Sequence, residues 1–294
     1  MVASERVAVT ILGTAQDGGV PQPGCMLPCC RTEKGEARRV RHPVALGLTD
    51  TTGTRHLFEA SRALAGQDQI WGKTDGLDLS SLRSLWLTHG HLGHIDGLGL
   101  FGCEAMGMKD IELYCSQSML ELLRNTPTLN RLLTDNNLIP TTFDSGETVH
   151  TLGFSVEALR VPHRDDHTDT HAFIISGDDS SLLFLPDHDT WDETLQLHSC
   201  DNPREWFSRL GVDVVLIDGT FWSGDEVGGR AASIGHPPVS QTIELLGERR
   251  EGDPRVIFIH LNHSNPLHDE NSEEYAAVTE LGWEVAEQGT TFPL

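Results

Sequence analysis

Residues 85–97 read LWLTHGHLGHIDG, and this stretch places three histidines within six residues, directly after an apolar run. The histidines are His89, His91 and His94. Imidazole is the commonest metal-binding side chain, because its neutral ring offers a nitrogen lone pair. If residues 85–87 form a strand, His89 and His91 share one side of the extended chain where the strand ends. His94 then falls in the first turn of a following helix, so the triplet predicts a metal site.

Three further metal-binding side chains follow short apolar runs later in the chain. His163 comes after LRVP, Asp187 after LLFLP and His260 after VIFI. The ends of strands are where the loops of an α/β fold present ligands. A single His or Asp after a strand is a weak signal, whereas these residues together predict one shared site.

The segment THGHLGH at residues 88–94 resembles the T-H-x-H-x-D-H signature of the metallo-β-lactamase fold superfamily. The other candidate ligands follow in the order that this superfamily uses. From about residue 7 to the C-terminus, the chain also looks like the branch that contains pyrroloquinoline quinone biosynthesis protein B (PqqB) and related metallo-hydrolases. The segments that carry this second resemblance are GTAQDGGVPQ at 13–22, LIDGTF at 216–221, GHPP at 235–238 and FIHLNHSNP at 258–266.

The order of the predicted elements is typical of an α/β protein. Strand-like runs fall into two clusters, and segments with a helical pattern, such as 61–84 and 97–106, lie between and after them. This order predicts two mixed sheets with helices on their outer faces. The resemblance implies the α/β (α+β) four-layer αβ/βα sandwich of the metallo-β-lactamase fold. Residues 1–294 contain no internal repeat and no long linker, so we expect a single domain.

The resemblance also implies a ligand set for a first metal. The residues are His89, His91 and His163, three imidazoles that leave an open position for water. This composition suits Zn, and it suits Fe or Mn less distinctively. In the superfamily an Asp after an early strand supports the histidine loop, and Glu59 takes that place here.

A second metal would be bound by His94 and His260, with Asp187 bridging the two ions. The superfamily also uses the Asp before its third motif histidine, and this chain has Gly93 there. Glycine has no side chain to ligate, so the second site is expected to be one carboxylate short and to bind its metal weakly. The active site would then hold one or two Zn ions. Two neighbouring residues are candidate substitutes, His188 and Asp96.

The resemblance implies hydrolysis by metal-bound hydroxide, since a bound divalent cation lowers the pKa of its water from ~15.7 to about 7. Asp187 and His94 are candidate catalytic residues at the metals, and Asp187 could orient the nucleophile or move its proton. His236 is the third candidate and would contact the substrate. His167 and His171 are further candidate contacts, and each of these three also fits an ordinary loop histidine.

Three of the six cysteines lie together in GCMLPCC at residues 24–30. Relatives in the branch carry C-x-C-x-x-C here and a histidine three residues beyond the last active-site histidine, which implies a structural zinc. Leu27 takes the middle position in this chain. Adjacent thiolates at 29 and 30 need an unusual turn to bind one ion, so ordinary packing of free thiols stays open. The candidate ligands are Cys25, Cys29, Cys30 and His263.

Composition limits the class of partner. Lys and Arg number 21 against 44 Asp and Glu, a formal net charge of −23, which argues against a nucleic-acid partner. No apolar run reaches the ~20 residues that a membrane-spanning helix needs, so no membrane partner is expected. The N-terminus lacks a signal-peptide core, and a cytoplasmic location is expected. A small-molecule substrate is expected, and a homodimer stays open.

Three functions fit the sequence. The first is a metal-dependent hydrolase of a small-molecule ester, phosphodiester or related bond. The second is an iron-dependent oxygenase or hydroxylase, or a carrier, in the synthesis of a PQQ-type cofactor, because a His-rich site with one carboxylate resembles mononuclear iron sites. The third is a non-catalytic metal- or ligand-binding protein, suggested by Gly93.

Overall fold

The computed structural model of the chain describes residues 6–31, 39–229 and 234–294. Within these ranges, short apolar runs form fourteen strands in two seven-stranded sheets. The strands of the first sheet are β1 (Ala8–Gly13), β2 (Ala45–Thr49), β3 (Arg55–Phe58), β4 (Leu82–Trp86), β5 (Ile111–Cys115), β6 (Leu138–Thr142) and β14 (Thr291–Pro293). Those of the second are β7 (Thr148–His150), β8 (Ser155–Val161), β9 (Thr170–Ser176), β10 (Ser181–Leu185), β11 (Val214–Asp218), β12 (Arg255–Ile259) and β13 (Glu284–Val285).

Both sheets are mixed, as predicted. The first has the order β14-β1-β2-β3-β4-β5-β6, antiparallel from β14 to β3 and parallel from β3 to β6. The second has the order β13-β12-β11-β10-β9-β8-β7, parallel from β13 to β10 and antiparallel from there to β7. Each sheet therefore has a parallel half, in which neighbouring strands end at the same edge.

The alternation of side chains along the strands divides the core into layers. In β10, Leu182 and Phe184 belong to the cluster between the two sheets, whereas Leu183 and Leu185 belong to the cluster outside the second sheet. Because successive side chains of a strand point to opposite faces, a strand covered on both faces is apolar throughout. These continuous apolar runs are the reason that the strands were recognisable in the sequence.

Helices cover the outer face of each sheet. The helices are α1 (Leu64–Asp75), α2 (Leu92–Ile95), α3 (Gln117–Asn125), α4 (Pro127–Thr134), α5 (Trp191–His198), α6 (Pro203–Leu210), α7 (Glu226–Gly229), α8 (Val239–Leu246) and α9 (Glu273–Glu280). Trp71 and Met119 pack on the first sheet, and Trp191, Trp206 and Val278 pack on the second. The result is the predicted sandwich of helix, sheet, sheet and helix layers.

The structure differs from the sequence prediction around the fourth and fifth strands. Residues 97–106 are not an α-helix but a 3-10 turn over Leu98–Phe101 followed by turns. Three glycines, at 97, 99 and 102, interrupt this segment, and glycine disfavours a regular helix by about 1 kcal/mol relative to alanine. The elements α4, β6 and β7 were not predicted; the strands β6 and β7 are short and mostly half-exposed or exposed, whereas α4 has leucines at helical spacing that were overlooked.

In the part of the chain that is described, no helix combines the length and apolar character needed to cross a membrane.

Candidate metal centre

The predicted ligands lie where strands of both sheets end. β4 ends at Trp86, the chain bends at Thr88, and His91 is the N-cap residue of helix α2. The predicted helical turn at His94 is confirmed, with the His94 amide donating to the His91 carbonyl at 3.0 Å. His163 follows β8 in the same way.

The nitrogen atoms of His89, His91 and His163 converge as one group. His91 Nδ1 lies 2.9 Å from His89 Nε2 and 3.3 Å from His163 Nε2. The remaining ring nitrogens are held by polar neighbours: His89 Nδ1 lies 2.9 Å from Thr88 Oγ1, and His163 Nδ1 lies 3.1 Å from Asp189 Oδ1. Such outer contacts fix the tautomer and the ring orientation of a metal-binding histidine. The three imidazoles therefore form a preorganised donor set.

The protonation of two of these imidazoles suits metal binding. Burial lowers the pKa of His89 well below its ordinary value and that of His91 to about 4, against the opposing charge of Asp187. Both rings are thus neutral at pH 7, the form in which imidazole ligates.

Asp187 lies between this group and a second one. Its Oδ1 is 3.6 Å from His163 Nε2, and its Oδ2 is 3.2 Å from His94 Nε2. Burial raises the pKa of Asp187, but the charges of His260, His94 and His163 hold it well below its ordinary value. Oδ1 also lies 3.6 Å from His260 Nδ1, so this buried, ionised carboxylate has histidines of both groups around it and would suit the bridging position expected for it.

The second group contains His94, His260 and a residue that the sequence did not single out, Asp17. Asp17 Oδ1 is 3.7 Å from the Nε2 atoms of both His94 and His260. Burial raises the pKa of Asp17, but the nearby imidazoles of His260 and His94 lower it overall. The structure thus places a carboxylate beside His94 and His260 that the sequence analysis did not count among the candidate ligands.

Two residues beside the second group have backbone angles that are unusual outside glycine. Glu59 has φ 70° and His260 has φ 63°. Positive φ in a non-glycine residue costs of the order of 1 kcal/mol or more and is concentrated at functional sites. Glu59 is fully buried, and its Oε1 lies 3.5 Å from His94 Nδ1. Glu59 thus occupies the supporting position that was predicted for it.

His236 lies beside the centre, where it is hydrogen-bonded to Asp218 at the end of β11. Asp218 is fully buried, and its Oδ2 accepts a hydrogen bond from His236 Nδ1 at 2.7 Å. His236, Asp187 and His163 form a further group of converging donor atoms. The His236 charge lowers the pKa of Asp218 against the effect of burial. Asp218 was not predicted as a site residue, although it lies in the segment LIDGTF that carried the resemblance.

The candidate substitutes for the missing carboxylate have other partners. Asp96 forms an ion pair with Arg62 at 2.5 Å and accepts a hydrogen bond from the Arg62 amide at 2.6 Å. His188 has its Nδ1 2.9 Å from Thr194 Oγ1 and packs its ring on Trp191. Both residues serve the packing around the site.

The two candidate contact histidines of the polar loop differ from each other. His167 is exposed, whereas His171 is buried with its ring 5.2 Å from that of Phe143 and its amide bonded to the Thr88 carbonyl. His171 therefore packs beside the strand end that leads into the histidine loop, and its role as a substrate contact stays a prediction. The same loop carries Arg164, whose guanidinium nitrogen lies 3.3 Å from His91 Nδ1.

The cysteine cluster is assembled with the predicted histidine. His263 Nδ1 lies 3.4 Å from Cys29 Sγ and 3.5 Å from Cys30 Sγ, and Cys25 Sγ lies 3.7 Å from Cys29 Sγ. Turns that close on the Leu27 carbonyl bring the adjacent thiols to the same histidine. Burial and the neighbouring thiols raise the pKa of Cys29 to about 12. A bound cation would remove this barrier to thiolate formation, so the cluster fits a structural zinc.

The unsatisfied polar atoms of the main centre also fit a cation. Within the described ranges, Asp187 Oδ2, His260 Nε2 and both carboxylate oxygens of Glu59 are buried without a hydrogen-bond partner. A buried unsatisfied polar group costs about 1–3 kcal/mol, and natural structures contain few of them. Their concentration around imidazoles and a shared carboxylate is the pattern of a metal centre.

The layers and the site together define a metallo-β-lactamase-type α/β sandwich with a histidine-rich centre where the strands of its two sheets end. Residues 54–261 match the family model described as the β-lactamase superfamily domain, and the chain belongs to that family, as a PqqB-like member.

Individual relatives agree with this assignment. The chain is 25% identical to the coenzyme PQQ synthesis protein B of Rhodopseudomonas palustris strain TIE-1, with 97% of this chain and 99% of the relative covered. Among solved structures it resembles Zn²⁺-bound PqqB from Methylobacterium extorquens, with a TM-score of 0.73, 24% identity and coverage of 98% and 100%. A diphosphatase of the PhnP family has a TM-score of 0.66 at 17% identity, with 98% and 97% covered.

Proposed function

We propose that the chain is a metal-dependent hydrolase that cleaves an ester, phosphodiester or related bond of a small molecule. The observation that carries the proposal is the buried Asp187 carboxylate, which lies between the two histidine groups. Its Oδ1 is 3.6 Å from both His163 Nε2 and His260 Nδ1, and its Oδ2 is 3.2 Å from His94 Nε2. A divalent metal bound there would supply an acidified water and polarise a carbonyl or phosphoryl oxygen. Zinc is the proposed ion, because imidazole and carboxylate donors suit it.

The protein's own groups can orient a water molecule and an imidazole for such a reaction. Asp187 lies between the two groups, and its carboxylate can accept a hydrogen bond from a water molecule in the centre and so orient it. The hydrogen bond from His236 Nδ1 to Asp218 keeps the His236 proton on Nδ1 and leaves a lone pair on Nε2. Asp218 thereby fixes the orientation of the His236 ring in the centre.

Arg164 supports a substrate with an anionic group. Its exposed guanidinium lies beside His91, at the open side of the centre. A guanidinium pairs with the oxygens of phosphate or carboxylate through charge-assisted hydrogen bonds. The protein has a net charge of −23, which would repel an anionic substrate. The positive charge of Arg164 would offset this repulsion at the centre.

The test combines elemental analysis with hydrolysis assays. The protein is purified without added metal, its metals are counted per chain, and it is assayed on bis(p-nitrophenyl) phosphate and on p-nitrophenyl esters. We expect zinc in the active site and metal-dependent hydrolysis. His163→Ala should abolish both the first-site zinc and the hydrolysis, whereas the exposed His150→Ala should change neither. Full zinc content in His163→Ala would contradict the assignment.

A second function is favoured by the similarity to coenzyme PQQ synthesis protein B along nearly the whole chain. The centre would then hold iron and serve an oxygen-dependent hydroxylation in the synthesis of a PQQ-type cofactor, for which imidazoles with one carboxylate are suitable ligands. Iron as the main metal, together with oxygen consumption, would support this function and not the hydrolase. A metal-loaded protein without turnover in either assay would support a carrier.

A further inference from the structure

We infer that Asp17 is a ligand of the second metal and replaces the carboxylate that the superfamily motif carries at the position of Gly93. This inference rests on the metal centre of the proposed function and specifies its composition. Asp17 lies in the loop after β1, far in sequence from the histidine motif.

The first argument is the position of the carboxylate. Asp17 Oδ1 lies 3.7 Å from His94 Nε2 and 3.7 Å from His260 Nε2, and the three donor atoms form one group. Neighbouring ligands of one zinc ion are about 3.3–3.6 Å apart, given bonds of about 2.0–2.2 Å in a tetrahedral arrangement. Small rotations of the Asp17 side chain would bring the set to that spacing. Asp187 Oδ2 lies 3.2 Å from the same His94 nitrogen, so a second carboxylate adjoins the group.

The second argument is the space at Gly93. A Cβ atom added to Gly93 would lie 2.0 Å from Asp17 Oδ1 and 2.4 Å from Asp17 Cγ. Non-bonded atoms do not approach this closely, so residue 93 can carry no side chain while Asp17 keeps its place. The carboxylate of Asp17 thus fills the space where a side chain at residue 93 would begin. Residue 93 is therefore glycine because the carboxylate is supplied by Asp17, and not because the metal site has been lost.

The third argument is the anchoring of the loop. The Gln16 amide donates to the Leu261 carbonyl at 2.9 Å, and the Leu261 amide donates to the Thr14 carbonyl at 2.9 Å. Leu261 follows His260 directly, so backbone pairing fixes Asp17 relative to one of its two imidazoles. A ligand held by its backbone loses little conformational entropy when it binds a metal.

The side chain of Asp17 is 44% exposed, whereas those of His94 and His260 are each 1% exposed. Asp17 therefore lies on the solvent-facing side of the group, and the two imidazoles lie on its buried side. A carboxylate at this place can receive an incoming cation before the buried nitrogens do.

The experiment is zinc reconstitution of the chelator-treated protein and of its Asp17→Asn variant, with zinc per chain counted and affinities measured by chelator competition. Asn keeps the size of the side chain and removes its charge. We expect wild-type protein to take up two zinc ions in the active site besides any held by the cysteine cluster. The Asp17→Asn variant should lose one equivalent of zinc or bind it at least about 100-fold more weakly. Loss of a residue that only orients a metal ligand already weakens metal binding by up to about 100-fold, and a ligand should matter at least as much.

Two further variants make the result specific. Asp96→Asn removes a nearby carboxylate that is paired with Arg62, and it should keep wild-type stoichiometry. Gly93→Asp combined with Asp17→Gly restores the motif carboxylate and vacates the space it needs, so it should regain the equivalent that Asp17→Asn loses. Gly93→Asp alone should lower the melting temperature, because the new side chain overlaps Asp17.

The outcomes separate the inference from the proposed function. One outcome would overturn the inference but leave the metal centre intact. In that outcome, the Asp17→Asn variant binds as much zinc as the wild type, whereas the His260→Ala variant loses one equivalent. Wild-type protein that binds no zinc beyond the cysteine cluster would overturn the metal centre, and the inference with it.

Discussion

Glu59→Gln tests how strongly a buried carboxylate supports the second metal. Glu59 is fully buried, and its Oε1 lies 3.5 Å from Nδ1 of His94, the ring whose Nε2 faces Asp187 and Asp17. Glutamine preserves the shape and an oxygen acceptor but removes the negative charge. The change therefore isolates the electrostatic support of His94.

Two magnitudes bound the expected effect. For a protonated His94, the attraction between unit charges at 3.5 Å is about 5 kcal/mol at an effective dielectric of 20. A metal-bound imidazole carries no proton on its ligating nitrogen and no full charge, so this value is an upper limit. Removal of a residue that orients a ligand costs about 10–100-fold in metal affinity, which is about 1.4–2.7 kcal/mol. We expect the second-site dissociation constant to rise within this smaller range.

The assay is zinc titration against a chelator of known affinity, which resolves the first-site ion from the second. Glu112→Gln is the matched control, because it also removes one carboxylate but acts on an exposed pair with Arg83. Melting temperatures of the zinc-free proteins separate metal binding from folding. A second-site affinity within twofold of wild type would refute the reasoning. An equal loss of zinc affinity at both sites would also refute it, since the substitution would then weaken binding by disturbing the fold and not by removing support from His94.

The remaining predictions concern the cysteine cluster and the substrate. Cys30→Ser should reduce the zinc content by about one per chain and lower the melting temperature, because Cys30 Sγ lies 3.5 Å from His263 Nδ1. Replacement of the exposed Cys103 by Ser is the control. Unchanged zinc content in Cys30→Ser would mean that the cysteines are ordinary packed thiols. Arg164→Gln should lower kcat/KM for bis(p-nitrophenyl) phosphate by about 10–100-fold, the equivalent of one charged hydrogen bond of about 1.5–3 kcal/mol. A neutral p-nitrophenyl ester should be affected little, and an equal loss on both substrates would contradict a role in anion binding.

The histidine motif shows why part of the centre was predictable. His89, His91 and His94 are close in space because they are close in sequence, and the strand-to-helix transition that places them depends on local chain geometry alone. His163, Asp187 and His260 were predictable for a different reason. Each follows an apolar run, and such runs mark strands whose ends present ligands. Their order along the chain resembled a known signature, which joined them into one site.

The outer partners of the ligands were predictable only in part. Glu59 was recognised because it occupies a motif position after β3. Asp189 and Asp218 were not, since a carboxylate near a strand end has many uses in a folded chain. Only the distances of 3.1 Å from Asp189 to His163 and 2.7 Å from Asp218 to His236 identify them as partners of site histidines.

From the sequence alone, the order of strand-like and helical segments predicted two mixed sheets with helices on their outer faces, and the resemblance of the histidine motif to a known signature implied the four-layer sandwich and most of the donors. The tertiary structure decided which carboxylate completes the second group. Gly93 indicates only that a side chain is absent, and no local pattern shows what fills the space. Asp17 reaches it because backbone pairing with Leu261 ties the loop after β1 to the end of β12 in the other sheet. Contacts of this kind depend on how the two sheets meet, and that is a property of the whole fold.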